Sequence, residues 1–87
     1  MRHARPEDLA PLATLLEGLR RLDDLTERKP GNFSRGSKAF LHVHADPEGL
    51  FVDVRLATEF ERFRVSTATE QRRVLTLIRR ALRGRPA

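Results

Sequence analysis

Cysteine, tryptophan and tyrosine are absent from this sequence, methionine occurs once, and lysine appears only as Lys29 and Lys38. Without cysteine there is no disulfide and no thiolate metal site, and the chain suits a reducing compartment such as the cytoplasm. No apolar run approaches the roughly 18 residues that a membrane-spanning helix needs. The opening MRHARPEDLAPL holds Glu7, Asp8 and two prolines, so it does not read as the apolar region of a signal peptide. A soluble cytoplasmic protein with no membrane partner is expected. Motifs that carry chemistry are missing as well. There is no helix-turn-helix pair, zinc finger or RRM aromatic pattern. Ser34, Ser37 and Ser66 lie in no nucleophile elbow, and the carboxylates Asp23 and Asp24 fall on a helix surface. No catalytic residue, enzyme activity or cofactor is predicted.

What is present is arginine. The 87 residues accommodate a single small domain, 1–87, with a thin core. The net charge is +5, and its location matters more than its size. From Met1 to Thr67 eleven basic residues balance eleven acidic ones. From Ala68 onward six arginines face one acid, Glu70, so the whole excess lies at the C-terminal end.

Hydrophobic spacing divides the chain into elements. Leu9, Leu12, Leu16 and Leu19 recur at helical steps, which predicts a helix from Glu7 to about Leu25. Pro11 fits only its first turn, where a missing N–H has no intrahelical partner, so the regular helix is expected to begin near Ala10. Pro30-Gly31 stops any continuation. Short strands follow: Asn32–Arg35 and Ser37–Ala45 around a turn at Gly36, then Leu50–Leu56 after Asp46-Pro47-Glu48-Gly49, then Phe60–Ser66. The DPEG tetrapeptide has Asp, Pro and Gly at the positions a type I turn favours. Thr67-Ala68-Thr69-Glu70 is a capping box that opens a last helix. Val74, Leu75, Ile78 and Leu82 form its apolar stripe, and Gly84 and Pro86 end it. The expected fold is α+β: an antiparallel sheet of three or four strands, with an N-terminal and a C-terminal helix on one face, in α-β-β-β-β-α order.

The stretch FLHVHADPEGLFVDVRL, Phe40 to Leu56, fixes its own register. With DPEG as the loop, Ala45 faces Leu50, Val43 faces Val52, Leu41 faces Val54 and Ala39 faces Leu56. Those pairs are all apolar. The other face then pairs Phe40 with Arg55, His42 with Asp53 and His44 with Phe51. A slip of one residue would turn every side chain over. One face is thus covered by the helices, and the other stays open, as antiparallel sheets allow. Phe40, His42, His44, Phe51, Asp53 and Arg55 are the candidate interaction residues of the open face, with Arg62 and Arg64 beside them. Aromatics clustered with arginine resemble contact surfaces between proteins. His42, His44 and Asp53 are also the residues to test for metal, because His-x-His on a strand aims both imidazoles one way. No further ligand is placed by the sequence, so no metal is assigned. A charge pairing between His42 and Asp53 would make the face pH-sensitive.

Gly31-Asn32-Phe33-Ser34-Arg35-Gly36-Ser37-Lys38 has the look of a phosphate loop but not its order. A P-loop needs Lys directly after the second glycine, then Ser or Thr, then a helix. Here Ser precedes Lys and a strand follows, so it reads as a β-turn. Arg72, Arg73, Arg79, Arg80 and Arg83 lie opposite Leu75, Ile78 and Leu82 on the last helix. Such a face is either simply solvated or an electrostatic footprint for phosphates.

The order of elements resembles the MmcQ/YjbR-like family of small bacterial proteins. The resembling residues are Leu22-Asp23-Asp24-Leu25 after the leucine helix, Pro30-Gly31-Asn32-Phe33, and Gly36-Ser37-Lys38-Ala39-Phe40. The strand Gly49-Leu50-Phe51-Val52-Asp53-Val54 and the C-terminal helix complete it. The resemblance implies a frataxin-like α/β arrangement and a DNA-binding role, with no catalytic residues. The family's Trp-containing stretch before the last helix has no counterpart, since Val65 leads almost directly into Thr67. The sequence thus predicts a non-enzymatic binding domain. Its leading partner is an unidentified protein or a second copy, held on the open sheet face. The alternative is nucleic acid on the C-terminal arginines.

Overall fold

The computed structural model describes residues 5–83 and, for Arg2 and His3, the backbone alone. In chain order the elements are β1 (Arg2–His3), α1 (Pro6–Leu9), a 3₁₀ turn (Ala10–Leu12), α2 (Ala13–Arg20), β2 (Thr26–Lys29), β3 (Asn32–Arg35), β4 (Lys38–Asp46), β5 (Gly49–Arg55), β6 (Phe60–Arg64) and α3 (Ala68–Arg83). This is the expected α+β class. The helix stop expected from Gly84 and Pro86 lies outside the described residues.

The sheet is antiparallel and larger than expected. Its strands run in the order β2-β3-β4-β5-β6, and β1 adds to β4 through Arg2↔Ala45 and His3↔His44. Two strands were not anticipated. β1 occupies a segment to which hydrophobic spacing assigned no element. β2, Thr26-Glu27-Arg28-Lys29, has no apolar alternation to announce it. It is an edge strand, and charge on an edge discourages pairing with other chains. The N-terminal helix is also shorter than its leucine spacing suggested. Pro11 divides it into α1, the 3₁₀ turn and α2, and α2 stops at Arg20. Arg20 then anchors that end: its guanidinium donates to both oxygens of Glu27 on β2 at 2.7 and 3.0 Å. Glu27 also accepts the Gly31 N–H at 3.1 Å, where φ is +81° in the turn before β3.

The β4–β5 register runs from Leu41↔Val54 through Val43↔Val52 to Ala45↔Leu50 and Asp46↔Gly49, as read from the turn. Asp46 Oδ1 accepts the Glu48 N–H at 2.8 Å inside that turn. The apolar face meets the helices. Leu12, Leu15, Leu16 and Leu19 from the first helical segment and Val74, Leu75 and Ile78 from α3 join Phe33, Leu41, Val43, Val52, Val54 and Val65 in one core. α2 and α3 cross at Gly18, where a Cβ would overlap the Leu75 side chain.

The capping box forms as predicted. Thr67 Oγ1 accepts the Glu70 N–H at 3.1 Å, and Glu70 returns to the Thr67 N–H at 3.0 Å. One position later, Gln71 is buried in the apolar stripe of α3. Its Oε1 accepts the Leu15 N–H at 3.2 Å, and its Nε2 donates to the carbonyls of Pro11 at 2.9 Å and Val65 at 3.1 Å. The first N–H groups of a helix have no partner within it. Gln71 supplies one to α2, restarted after Pro11, and ties three segments together.

Candidate functional site

Two cationic surfaces lie on opposite sides of the molecule, the open sheet face and the outer face of α3. On the sheet, His42 and His44 project from β4, Phe51, Asp53 and Arg55 from β5, and Phe60, Arg62 and Arg64 from β6. The β5–β6 register brings Arg55 opposite Phe60, Asp53 opposite Arg62 and Phe51 opposite Arg64. Asp53 is the centre of this face. Its carboxylate accepts from Arg62 Nε at 2.7 Å and Nη2 at 2.9 Å. Its Oδ2 also lies 3.0 Å from His44 Nε2. The Arg62 hydrogen bonds, reinforced by the charges of Arg62, His44 and His42, hold the Asp53 carboxyl below its usual range.

The register pairs His42 with Asp53 as predicted. His44, the diagonal neighbour, also reaches the Asp53 carboxylate, and the charges of both imidazoles act on it. The His42 ring stacks on His44 with centroids 6.3 Å apart and lies in a T-shaped arrangement with Phe60, centroids 5.4 Å apart. The Arg55 guanidinium lies over the same Phe60 ring, 4.6 Å from its centre. Phe60 is the exposed large hydrophobic residue among those described. Sequence reading placed it on the last strand without assigning it a role. The signal available was its alternation with Arg62 and Arg64.

Phe40 does not belong to this face. It is 3% exposed and sits in the core. The cause is a bulge: Phe33 pairs with Leu41 and Ser34 with Ala39, leaving Phe40 as the extra residue on β4. A bulge locally breaks the alternation of faces, so Phe40 and Leu41 are both buried. The same bulge ends the β4–β5 ladder at Leu41↔Val54, so the expected pairs Phe40–Arg55 and Ala39–Leu56 do not form.

For a metal ion, the arrangement of His42, His44 and Asp53 offers little. Asp53 already serves Arg62 and His44. Among the described residues no group of three or more His, Asp or Glu side chains is placed to share an ion.

The second surface is simpler. Arg72, Arg73, Arg79, Arg80 and Arg83 are all exposed on α3. At 100° per residue they fall within an arc of about 120°, opposite the buried stripe. Elsewhere four arginines face a carboxylate, Arg20 with Glu27, Arg35 with Asp24, Arg62 with Asp53 and Arg64 with Glu70, while Arg5, Arg21, Arg28 and Arg55, scattered over the surface, have none within ion-pair distance among the described residues. None of the five on α3 has a carboxylate within ion-pair distance among the described residues. Glu70, the single acid of this helix, is engaged by the cap and by Arg64 at 3.1 Å. Those contacts, the Thr67 backbone N–H foremost, hold its carboxyl below the usual range.

Comparison with known proteins finds no family model, no curated protein and no solved structure that matches this chain. The resemblance to the YjbR-like proteins is thus one of the quoted residues alone. No helix among the described residues is long and apolar enough to cross a membrane.

Proposed function

We propose that this chain is a non-enzymatic binding domain whose partner is nucleic acid, held by its phosphates along the arginine face of α3. The observation that carries the reading is the contrast in charge pairing. Of the eight described arginines elsewhere four face a carboxylate, whereas the five grouped on one face of α3 face none among the described residues. Five guanidinium groups side by side repel one another in the unbound protein, and a polyanion relieves that repulsion. The dimensions agree. From Arg72 to Arg83 the helix rises about 16 Å, close to the axial length of five phosphates on one strand at about 3.4 Å each. Nothing on this face is arranged to read base edges, so binding is expected to depend on charge rather than sequence. The DNA-binding role implied by the YjbR-like resemblance points the same way.

The test is binding of a labelled short DNA duplex at low salt. Arg72→Glu/Arg73→Glu/Arg79→Glu is expected to abolish binding, and Phe51→Asp to leave it intact. Equal binding by the wild type and the triple variant would overturn the reading.

A second reading follows from Phe60, 39% exposed beside His42 and Arg55 on the sheet. An exposed aromatic next to arginine fits the centre of a protein–protein contact. Arg62 and Arg64 are balanced by Asp53 and Glu70, and Arg55, which no carboxylate faces, leaves the surface with an excess positive charge, so an acidic protein suits it better than a second copy. Under this reading Phe60→Asp or Phe51→Asp removes the partner without altering the binding of DNA.

A further inference from the structure

The geometry points to a separate small-molecule site: a cleft at one end of the sheet that takes an organic oxyanion, a phosphate or carboxylate carried on an apolar group. The cleft has a volume of about 540 Å³, within the range of ligand pockets. Its origin is the Phe40 bulge. Where the β4–β5 ladder ends at Leu41↔Val54, the turn after β3 and the turn after β5 flank an opening. Arg35 and Lys38 line it from the first turn, and Ala57 and Thr58 from the second. Arg55 stands between them, and Ala39 and Phe40 give the lining an apolar part.

Three cations and no carboxylate line the cleft. Arg35 has Asp24 only at 3.7 Å. Arg55 is held over the Phe60 ring, 4.6 Å from its centre. Among the described residues, Arg55 Nε is the one buried side-chain nitrogen or oxygen with no hydrogen-bond partner. A buried donor without an acceptor is rare and destabilising in a folded protein. Here it belongs to the residue that also lines a cationic cleft, on a guanidinium already fixed in orientation. Planar guanidinium matches the geometry of carboxylate and phosphate oxygens, and the neighbouring Ala39, Ala57 and Phe40 suit the apolar remainder of such a ligand. The cleft shares no lining residue with α3, so the inference stands independently of nucleic-acid binding.

The experiment is an amide NMR titration of the full chain with phenyl phosphate and, separately, with benzoate. Inorganic phosphate is the comparison for a bare anion. Saturable shifts on Arg35, Gly36, Lys38 and Thr58 with either organic probe are expected. Arg55→Gln and Lys38→Gln should each weaken binding at least about tenfold, the size expected for loss of a charged hydrogen bond. Arg72→Gln/Arg73→Gln/Arg79→Gln should leave it unchanged. Saturation by phenyl phosphate alone assigns a phosphate ligand, and by benzoate alone a carboxylate. The inference is overturned if neither probe shifts these amides, or if the shifts lie on α3. It is likewise overturned if inorganic phosphate binds the cleft as tightly as the organic probes.

Discussion

Replacing Gln71 by leucine tests how the two helical segments are joined. The side chain is 2% exposed and makes three hydrogen bonds to backbone groups. Leucine keeps the approximate volume and removes all three. The Leu15 N–H and the Val65 carbonyl are then buried and unpaired, at about 1–3 kcal/mol each. The Pro11 carbonyl is less enclosed and recovers water. Burying leucine instead of an amide returns about 1–2 kcal/mol. The mid-range net loss is therefore about 2.5 kcal/mol, or a fall in Tm of roughly 10–20 °C for a domain of this size. Urea unfolding followed by circular dichroism measures it directly. Gln71→Glu separates the three bonds. It keeps an acceptor for Leu15 and loses both donors while charged, so its stability should rise as the pH falls and the buried carboxyl gains a proton. A Gln71→Leu protein as stable as the wild type within about 0.5 kcal/mol would refute the reasoning, since that is the range of an ordinary surface substitution.

Three further outcomes follow from the structure. Phe40→Ala should cost about 3–5 kcal/mol in chemical denaturation, as for a core phenylalanine; a loss under about 0.5 kcal/mol would return Phe40 to the open face. Gly49→Ala should cost about 1–3 kcal/mol, because φ is +142° and the new Cβ would collide with the Ser66 hydroxyl that accepts the Leu50 N–H; thermal unfolding unchanged from the wild type would contradict this. Arg20 and Arg62 lower the carboxyls of Glu27 and Asp53, so their stabilisation is present above the ordinary values of 4.5 and 3.8 and is lost as pH falls through the lower folded values. Arg20→Gln and Arg62→Gln should each flatten this acid loss in urea titrations across pH, and variants that lose stability as steeply as the wild type would count against both ion pairs.

Local signals that agree with tertiary packing were legible in the sequence. The DPEG turn and the alternating Leu41-Val43-Ala45 and Leu50-Val52-Val54 positions set the β4–β5 register, because only one pairing buries a consistent face. Thr67 and Glu70 announced α3 through a cap made within four residues. The features that escaped depend on neighbours distant in sequence. Phe40 alternates with Leu41 on paper, and it turns inward only because β3 pairs on both sides of it and leaves it unmatched. β2 is polar and held by its partner β3 and the Arg20–Glu27 ion pair, neither of which has a periodic signature. For the candidate site, the five arginines of α3 and the His42, His44, Phe51, Asp53 and Arg55 group were visible from spacing. The contribution of Phe60 needed the β5–β6 register. The cleft of Arg35, Lys38 and Arg55 needed the bulge.

The central claim is that α3 binds nucleic acid through five unneutralised arginines, and the salt dependence of duplex binding tests it most directly. Each phosphate neutralised contributes about −0.9 to the slope of log K against log salt. Five contacts give a slope of about −4.5, a loss of roughly 500-fold in affinity between about 50 and 200 mM salt. Arg72→Gln/Arg73→Gln/Arg79→Gln leaves two of the five, for a slope of about −1.8 and a loss of roughly 12-fold. A wild-type slope near −4.5 that falls to near −1.8 in the variant is the predicted result. A slope that is the same in both proteins, or no binding at the lowest salt, would contradict the account.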